Sequence, residues 1–141
     1  MTQSILFACN MNSVRSPMAA ALLQLNGAGD FKVNSAGVYE GGLDPFVEMV
    51  MGELGVAMDS HEPKMLTDVD LTKVNLIVAL TPEAAVEARK LMPREAIEFW
   101  DVENPSEERG GRDAILESYR RVRDDLAKRL QARFPDLHEK P

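Results

Sequence analysis

The 141-residue chain contains a single cysteine, Cys9. One thiol cannot form a disulfide within the chain, and a free thiol persists best in a reducing compartment, so the sequence predicts a cytoplasmic protein. Long apolar runs are also missing, since a stretch such as 76–80 suits one strand and is far too short to cross a bilayer. The N-terminus has no basic segment ahead of a long apolar region, which argues against a secretion signal. We therefore expect no membrane association.

Positive charge is in short supply, because 16 lysines and arginines face 23 aspartates and glutamates, giving a formal net charge of −7. A nucleic-acid backbone would be repelled by such a surface, and no basic stripe interleaved with aromatic residues is present, so nucleic acid is not an expected partner. Hydrophobic residues make up 45% of the chain, which is enough for a packed core. The length fits one domain, and we predict that residues 1–141 form it.

An unusual pattern follows the first apolar run, at residues 5–8. The segment reads Cys9-Asn10-Met11-Asn12-Ser13-Val14-Arg15-Ser16, and Pro17 comes directly after it as a residue that favours the first turn of a helix. A strand that leads through a loop into a helix N-terminus presents backbone N–H groups and a helix dipole to an anion. A thiol at the front and a guanidinium at the back add a nucleophile and a planar clamp, which suggests cysteine-dependent chemistry on a phosphate ester.

Strands and helices alternate along the chain. We predict strands at 4–9, 31–36, 74–80 and 96–100. Helices are predicted from the N-cap Ser16 to Leu25, from Asp44-Pro45 to Leu54, from Thr81-Pro82 to about Leu91, and along the apolar stripe Ile115, Tyr119, Val122, Leu126 and Leu130, with a short helix near 66–71. This order predicts an α/β fold, with a small four-stranded parallel sheet flanked by helices on both faces in three layers.

Four residues are expected at the carboxyl ends of these strands: Cys9, Gly37, Thr81 and Asp101. Ligands of open parallel sheets bind at this edge, so we expect the four loops to converge there. Cys9 is interpreted as a thiolate nucleophile activated by the loop, and Arg15 as the clamp for phosphoryl oxygens. The alternatives are a buried core cysteine, a solvated arginine and, for Asn12, an ordinary turn residue that tolerates left-handed dihedrals.

The segment from Cys9 to Ser16 resembles the signature of the low-molecular-weight protein tyrosine phosphatases, whose fold is shared with the thioredoxin-linked arsenate reductases. The likeness extends in order through Ser35-Ala36-Gly37, Gly55, His61 and a Trp100-Asp101-Val102 segment that precedes Pro105. It implies a phosphocysteine intermediate on Cys9, phosphoryl binding by Arg15, and support of the thiolate and loop by Ser16 and Asn12. It also implies phosphate-binding positions at Asn10, Met11, Ser13 and Val14.

The chain departs from that pattern at the general acid. The family's Asp-Pro pair before the last helix is here Asn104-Pro105, and an amide cannot protonate a leaving group. General acid catalysis typically contributes ~10²–10⁴-fold, so we consider Glu103 and Asp101 as stand-ins, against the alternative that both are ordinary acidic loop residues. The Asp-Pro pair that the chain does contain, Asp44-Pro45, is interpreted as a helix start with Asp44 as N-cap.

Other departures concern the mouth of the site. Met11 and Val14 replace the usual loop glycine and second cysteine, and Ser106-Glu107 replaces the aromatic pair that stacks on phosphotyrosine in the family. Tyr39 could supply one wall for a substrate, with Asn104 beside it, although a half-buried loop tyrosine is an equal alternative. Met11 is expected to place its side chain at the entrance.

No metal site or cofactor is predicted, because His61 and His138 lack acidic residues at ligand spacing. We interpret His61 as structural and His138 as an exposed tail residue. Three functions stay open: a phosphate-monoester hydrolase acting on phosphotyrosine in a protein or on a small phosphate ester, an arsenate reductase that uses an external thiol, and a weakly catalytic module that binds oxyanions or phosphoproteins.

Overall fold

The computed structural model describes residues 3–27, 31–39, 41–59 and 61–135. Its four strands are β1 (Gln3–Cys9), β2 (Phe31–Gly37), β3 (Leu76–Ala79) and β4 (Ile97–Phe99). They form one sheet in the order β2-β1-β3-β4, and every neighbouring pair is parallel. The predicted α/β class and four-stranded parallel sheet are confirmed. His138 lies outside the described residues.

The helices are α1 (Arg15–Gly27), α2 (Pro45–Gly52), α3 (Pro82–Arg89) and α4 (Arg112–Arg133). Alternate residues of β1 explain how they divide between the two faces of the sheet. Ile5, Phe7 and Cys9 belong to one apolar core with residues of α1, α2 and α4, while Leu6 and Ala8 belong to a second core with the alanines of α3. The protein thus has the three layers that the sequence predicts.

The strand register aligns the carboxyl ends of the sheet. Cys9 lies opposite Gly37 on β2, and Ala8 lies opposite Ala79 on β3. The amide of Trp100 donates to the carbonyl of Ala79 at 2.8 Å, which draws the end of β4 to the same edge. This edge is where the loop after Cys9 begins, and the predicted convergence of loops there is confirmed.

Two helix starts follow the sequence closely. Asp44 caps α2 by accepting a hydrogen bond from the amide of Phe46 at 2.8 Å, and Thr81 caps α3 through the amide of Ala84 at 3.0 Å. The apolar stripe of α4 is also confirmed, because Tyr119, Val122, Leu126 and Leu130 are buried.

Several predicted boundaries are wrong. The short helix near 66–71 is two 3₁₀ turns, Leu66–Asp68 and Leu71–Lys73, because Val69 and Asp70 are extended between them and Asp70 caps the second turn. Leu54 lies beyond the end of α2 and is exposed, in a turn completed by Gly55 at a φ of 76°. Among the described residues, none of the helices is both long enough and apolar enough to cross a membrane.

Candidate active site

The loop between β1 and α1 holds its shape around Asn12. Asn12 has a φ of 53°, the left-handed conformation that asparagine tolerates better than most residues, and its side chain is buried. Among the hydrogen bonds between described residues, none uses a backbone N–H of residues 11–15 as its donor. Unpaired N–H groups in a loop that enters a helix form an anion-binding site. The predicted phosphate-binding positions Met11, Ser13 and Val14 all lie in this loop.

Cys9 lies at the base of the loop and is buried, with its Sγ 2.9 Å from Oγ of Ser16. Ser16 is itself fully buried, and its hydroxyl also lies 3.4 Å from the carbonyl of Ala36. The prediction that Ser16 is the N-cap of the first helix is wrong. The helix begins at Arg15, and the hydroxyl is directed to the cysteine instead of to a helix amide. A hydroxyl at this distance can donate to a thiolate and stabilise its charge.

Asn12 connects Cys9 to two more distant parts of the chain. Its Nδ2 donates to Oγ of Ser16 at 2.9 Å, and its Oδ1 accepts from the amide of Lys64 at 3.0 Å. Its backbone carbonyl accepts from Nε2 of His61 at 3.2 Å. Because a carbonyl can only accept, Nε2 carries the hydrogen. These three contacts hold the strained residue in place, and they give His61 the structural role that the sequence suggests.

The ionisation of His61 follows from its surroundings. Burial lowers the pKa of His61, an effect that the nearby Lys64 charge reinforces and the bond to the Asn12 carbonyl opposes. Burial therefore favours the neutral imidazole, whereas the bond to the Asn12 carbonyl by itself favours the protonated ring. The sequence offered the two residues separately, and their contact across the fold was not predictable from their spacing.

Arg15, the first residue of α1, lies beside the loop. One of its terminal nitrogens donates to the carbonyl of Val102 at 3.0 Å, which fixes the side chain toward the loop after β4. Burial lowers the pKa of Arg15, whereas the charges of Cys9, Glu107 and Asp101 raise it in decreasing order. An arginine stays protonated under such shifts. The guanidinium is thus a cation held in place by Val102, and it interacts electrostatically with Cys9 and with the carboxylates of Glu107 and Asp101.

Asn10 is held from the other side of the sheet edge. Its Oδ1 accepts from the hydroxyl of Thr81 at 2.7 Å, and its carbonyl accepts from the amide of Tyr39 at 2.7 Å. Thr81 was predicted to lie at this edge, but its contact with Asn10 was not. The loop is therefore clamped by the residues that follow β2 and β3.

Gly37 allows the second strand to approach the loop closely. A Cβ at this position would lie 2.5 Å from the carbonyl oxygen of Tyr39 and 2.7 Å from the amide nitrogen of Asn12. Both contacts are with backbone, which cannot swing away as a side chain could. The glycine of the Ser35-Ala36-Gly37 segment is thus required by packing against the loop.

The two predicted stand-in acids lie in different surroundings. The carboxylate of Glu103 accepts from Nε of Arg121 at 2.7 Å, and this bond lowers the pKa of Glu103. A lowered pKa disfavours the protonated form that a general acid needs, so the structure opposes this role. The negative charges of Asp101 and Glu107 both raise the pKa of Arg15. The sequence gives no signal for Glu107 as an acid, because its position matches one of the family's aromatic pair.

Asn104 has a clear structural role in the same loop. Its Oδ1 accepts from the amide of Ser106 at 3.1 Å and from the Ser106 hydroxyl at 2.6 Å. It thereby caps the 3₁₀ turn Pro105–Glu107. Of the two residues predicted to form a wall for the substrate, Asn104 and Tyr39, the side chain of Asn104 therefore serves to shape the loop.

Tyr39 and Met11 are both exposed at the mouth. Tyr39 is exposed by 49% and Met11 by 43%, so about half of the Tyr39 surface is open to solvent. The Tyr39 hydroxyl donates to Oε1 of Glu83 at 2.7 Å, and this bond raises the pKa of Tyr39. Met11 lies over Gly41, where an added Cβ would come within 3.1 Å of the Met11 Cε. In the described ranges, no three histidine, cysteine or carboxylate side chains are grouped as metal ligands would be.

The family described as low molecular weight phosphotyrosine protein phosphatase matches residues 4–141, and the chain belongs to this family. An arsenate reductase from Bacillus subtilis is 29% identical over 127 residues, covering 90% of this chain and 91% of the relative. Among solved structures, an arsenate reductase from Archaeoglobus fulgidus is 28% identical with a TM-score of 0.77, covering 94% of this chain and 99% of the other. The YwlE arginine phosphatase from Geobacillus stearothermophilus is 25% identical with a TM-score of 0.74, and 99% of each chain is covered.

Proposed function

We propose that the protein hydrolyses phosphate monoesters through a phosphocysteine intermediate on Cys9. The observation that carries this proposal is the position of the thiol at the base of the loop. Its Sγ lies 2.9 Å from the Ser16 hydroxyl, beneath backbone N–H groups that no described residue accepts from. Binding of an anion needs only the N–H groups and Arg15. A thiol stabilised by a dedicated hydroxyl adds a nucleophile, which favours catalysis over a binding module.

The geometry supports a two-step reaction. The Cys9 thiolate attacks phosphorus, an S–P bond forms, and the bond from phosphorus to the leaving oxygen breaks. Arg15 and the loop N–H groups bind the non-bridging oxygens, where negative charge accumulates in the transition state. Water then attacks phosphorus and breaks the S–P bond, which releases inorganic phosphate and returns the thiolate. The Ser16 hydroxyl stabilises that leaving thiolate by hydrogen bonding.

The substrate that we propose is an aryl phosphate, in particular phosphotyrosine on a protein in the cytoplasm. Tyr39 and Met11 support it, because both side chains are exposed beside the loop and offer apolar surface to an aromatic ring. A relative named as an arginine phosphatase supplies the competing substrate, a phosphoarginine peptide. Comparing the kcat/KM of matched phosphotyrosine and phosphoarginine peptides tests the assignment. A preference for phosphoarginine would overturn it without affecting the role of Cys9.

Turnover of p-nitrophenyl phosphate tests the hydrolysis itself. We expect the native protein to release p-nitrophenol with an initial burst of about one equivalent per chain when hydrolysis of the intermediate is slower than its formation. Cys9→Ser should abolish the burst and retain phosphate binding, because the loop N–H groups and Arg15 are unchanged. Arg15→Lys should weaken phosphate binding, since an ammonium cannot reproduce the planar fork. A native protein that turns over neither an aryl phosphate nor a phosphoarginine peptide would rule the hydrolase out.

Arsenate reduction is the second candidate, favoured by the two similar proteins named as arsenate reductases. Here Cys9 attacks arsenate with loss of water, an external thiol then forms a disulfide with Cys9 and releases arsenite, and a second thiol frees Cys9. The chain holds one cysteine, so both electrons come from the external thiols. Arsenate-dependent oxidation of glutathione or another small thiol, absent in Cys9→Ser, would identify this activity.

A further inference from the structure

The loop between β4 and α4 carries several carboxylates but no carboxylate at position 104. Asn104 uses its Oδ1 to accept both the amide and the hydroxyl of Ser106. Its side chain is an N-cap for the 3₁₀ turn Pro105–Glu107 and has no proton to give to a leaving oxygen. The hydrolysis of an ester with a basic leaving group needs such a proton. Another group in this loop must supply it if the reaction is to be efficient.

Two of the neighbouring carboxylates are engaged elsewhere. Glu103 forms a two-pronged ion pair with Arg121, at 2.7 and 3.3 Å. The Oε1 of Glu108 accepts from the amide of Gly110 at 3.3 Å, so this side chain follows the backbone toward α4. Asp101 is held through its backbone, since its carbonyl accepts from Arg129 at 2.9 Å. Its carboxylate forms no hydrogen bond among the described residues, so Asp101 is the competing candidate that the experiment below must separate from Glu107.

Glu107 is the last residue of the 3₁₀ turn that Asn104 caps. The amide of Glu107 donates to the carbonyl of Asn104 at 3.3 Å, so the two residues lie one turn apart in the loop. Among the described residues, no side chain or amide bonds the Glu107 carboxylate, which is exposed. The charge of Glu107 also raises the pKa of Arg15, and its effect is larger than that of Asp101.

We propose that the carboxyl group of Glu107 donates the proton to the leaving oxygen, an assignment that rests on the phosphocysteine mechanism proposed above. As Cys9 attacks and the ester bond breaks, the leaving oxygen takes the proton from Glu107. The resulting carboxylate accepts a proton from the water that attacks the phosphocysteine, so that the released phosphate and the regenerated acid balance the cycle. Glu107, one turn further along the loop, thus supplies the proton that the Asn104 amide cannot.

Leaving-group dependence tests this assignment. At mildly acidic pH, Glu107→Gln should lower the kcat of phenyl phosphate by ~10²-fold or more and that of p-nitrophenyl phosphate far less, because a weakly basic phenoxide needs no proton. Glu107→Asp should keep part of the phenyl phosphate activity. Glu108→Gln is the matched control, with the same change of charge at the next residue, and should leave both rates close to native. Equal losses on the two substrates, or a selective loss in Asp101→Asn instead, would overturn the proposal.

A second variant uses the neighbouring position. In a Glu107→Gln background, Asn104→Asp should restore phenyl phosphate turnover, since an aspartate can keep the cap of the turn and adds a carboxyl one turn before position 107. Failure to restore it while the turn stays folded would show that a carboxyl in this part of the loop does not reach the leaving oxygen, and would overturn the assignment. Turnover of p-nitrophenyl phosphate and its dependence on Cys9 separate the two levels of inference. Native turnover that is lost in Cys9→Ser, with no effect of Glu107→Gln on phenyl phosphate, refutes the acid alone. No native turnover, or turnover retained in Cys9→Ser, refutes the phosphocysteine mechanism.

Discussion

Asn12 donates from its Nδ2 to the hydroxyl of Ser16 across 2.9 Å, and that same hydroxyl lies 2.9 Å from the Cys9 thiol. The asparagine is fully buried and has a positive φ, so one residue both shapes the loop and orients the hydroxyl beside Cys9. Loop conformation and the state of Cys9 are thereby linked through a single side chain.

Replacing Asn12 tests this link. Asn12→Ala removes the bonds to Ser16 and Lys64 and places a less tolerant residue at φ 53°, so we expect a loss of ~2–4 kcal/mol in the free energy of unfolding. Asn12→Gly restores the backbone freedom without the bonds and should recover part of the stability but little of the activity. Urea unfolding and kcat/KM for p-nitrophenyl phosphate separate the two effects. Native activity in Asn12→Gly would show that the side-chain bonds are dispensable.

Gly37→Ala is expected to distort the anion site without touching a charged group. The new Cβ would meet backbone atoms of Tyr39, Asn12 and Asn10 at 2.5–2.8 Å, so the loop must move. We expect phosphate affinity to fall by at least ~10-fold, which corresponds to about 1.4 kcal/mol. Gly42→Ala is the control, because no atom lies within 4 Å of an added Cβ there. Calorimetric titration with phosphate measures both, and equal affinities would contradict the packing argument.

His61 should make stability depend on pH. Its pKa in the folded state is lowered, mainly by burial, so between that value and the ordinary value near 6.5 the unfolded chain binds more protons. The contribution is therefore complete above about pH 6.5 and declines as the pH falls toward the lowered pKa. His61→Gln cannot titrate there, and its amide can still donate to the Asn12 carbonyl. We expect the native protein to lose more stability than His61→Gln between about pH 7 and 5 in urea unfolding, and parallel curves would refute this.

The sequence was sufficient for the sheet and for the position of the loop after β1, for identifiable reasons. The period of the apolar residues placed β1 and the buried stripe of α4, and the cap residues Asp44 and Thr81 marked two helix starts. The loop was recognisable because Cys9, Arg15 and Pro17 are close along the chain. Patterns of this kind involve residues that are close along the chain, so a single sequence is enough to recognise them.

Contacts between distant residues were not predictable in the same way. His61 and Lys64 reach Asn12 from 49 and 52 positions away, and Thr81 reaches Asn10 from 71. The pairing of Glu103 with Arg121 depends on how α4 packs, so the sequence does not show which carboxylates of this loop are engaged. The prediction of Ser16 as an N-cap is wrong because its hydroxyl has a tertiary partner, the Cys9 thiol. Such partners follow from the fold, and a single sequence shows them only where the spacing is short.

Glu53, between α2 and α4, should make the stability of the fold depend on pH in the acidic range. Hydrogen bonds from Arg120 and Arg123 lower its pKa to about 2, and Arg123 also donates to the carbonyl of Val50. A depressed carboxyl pKa stabilises the fold above the ordinary value, and that contribution is lost as the pH falls from about 4.5 to about 2. Glu53→Gln should remove this dependence, and Glu117→Gln, an exposed partner of Arg120 alone, should not. Thermal unfolding across this range measures the difference. Superimposed profiles for the native protein and Glu53→Gln would show that the carboxylate does not couple the two helices.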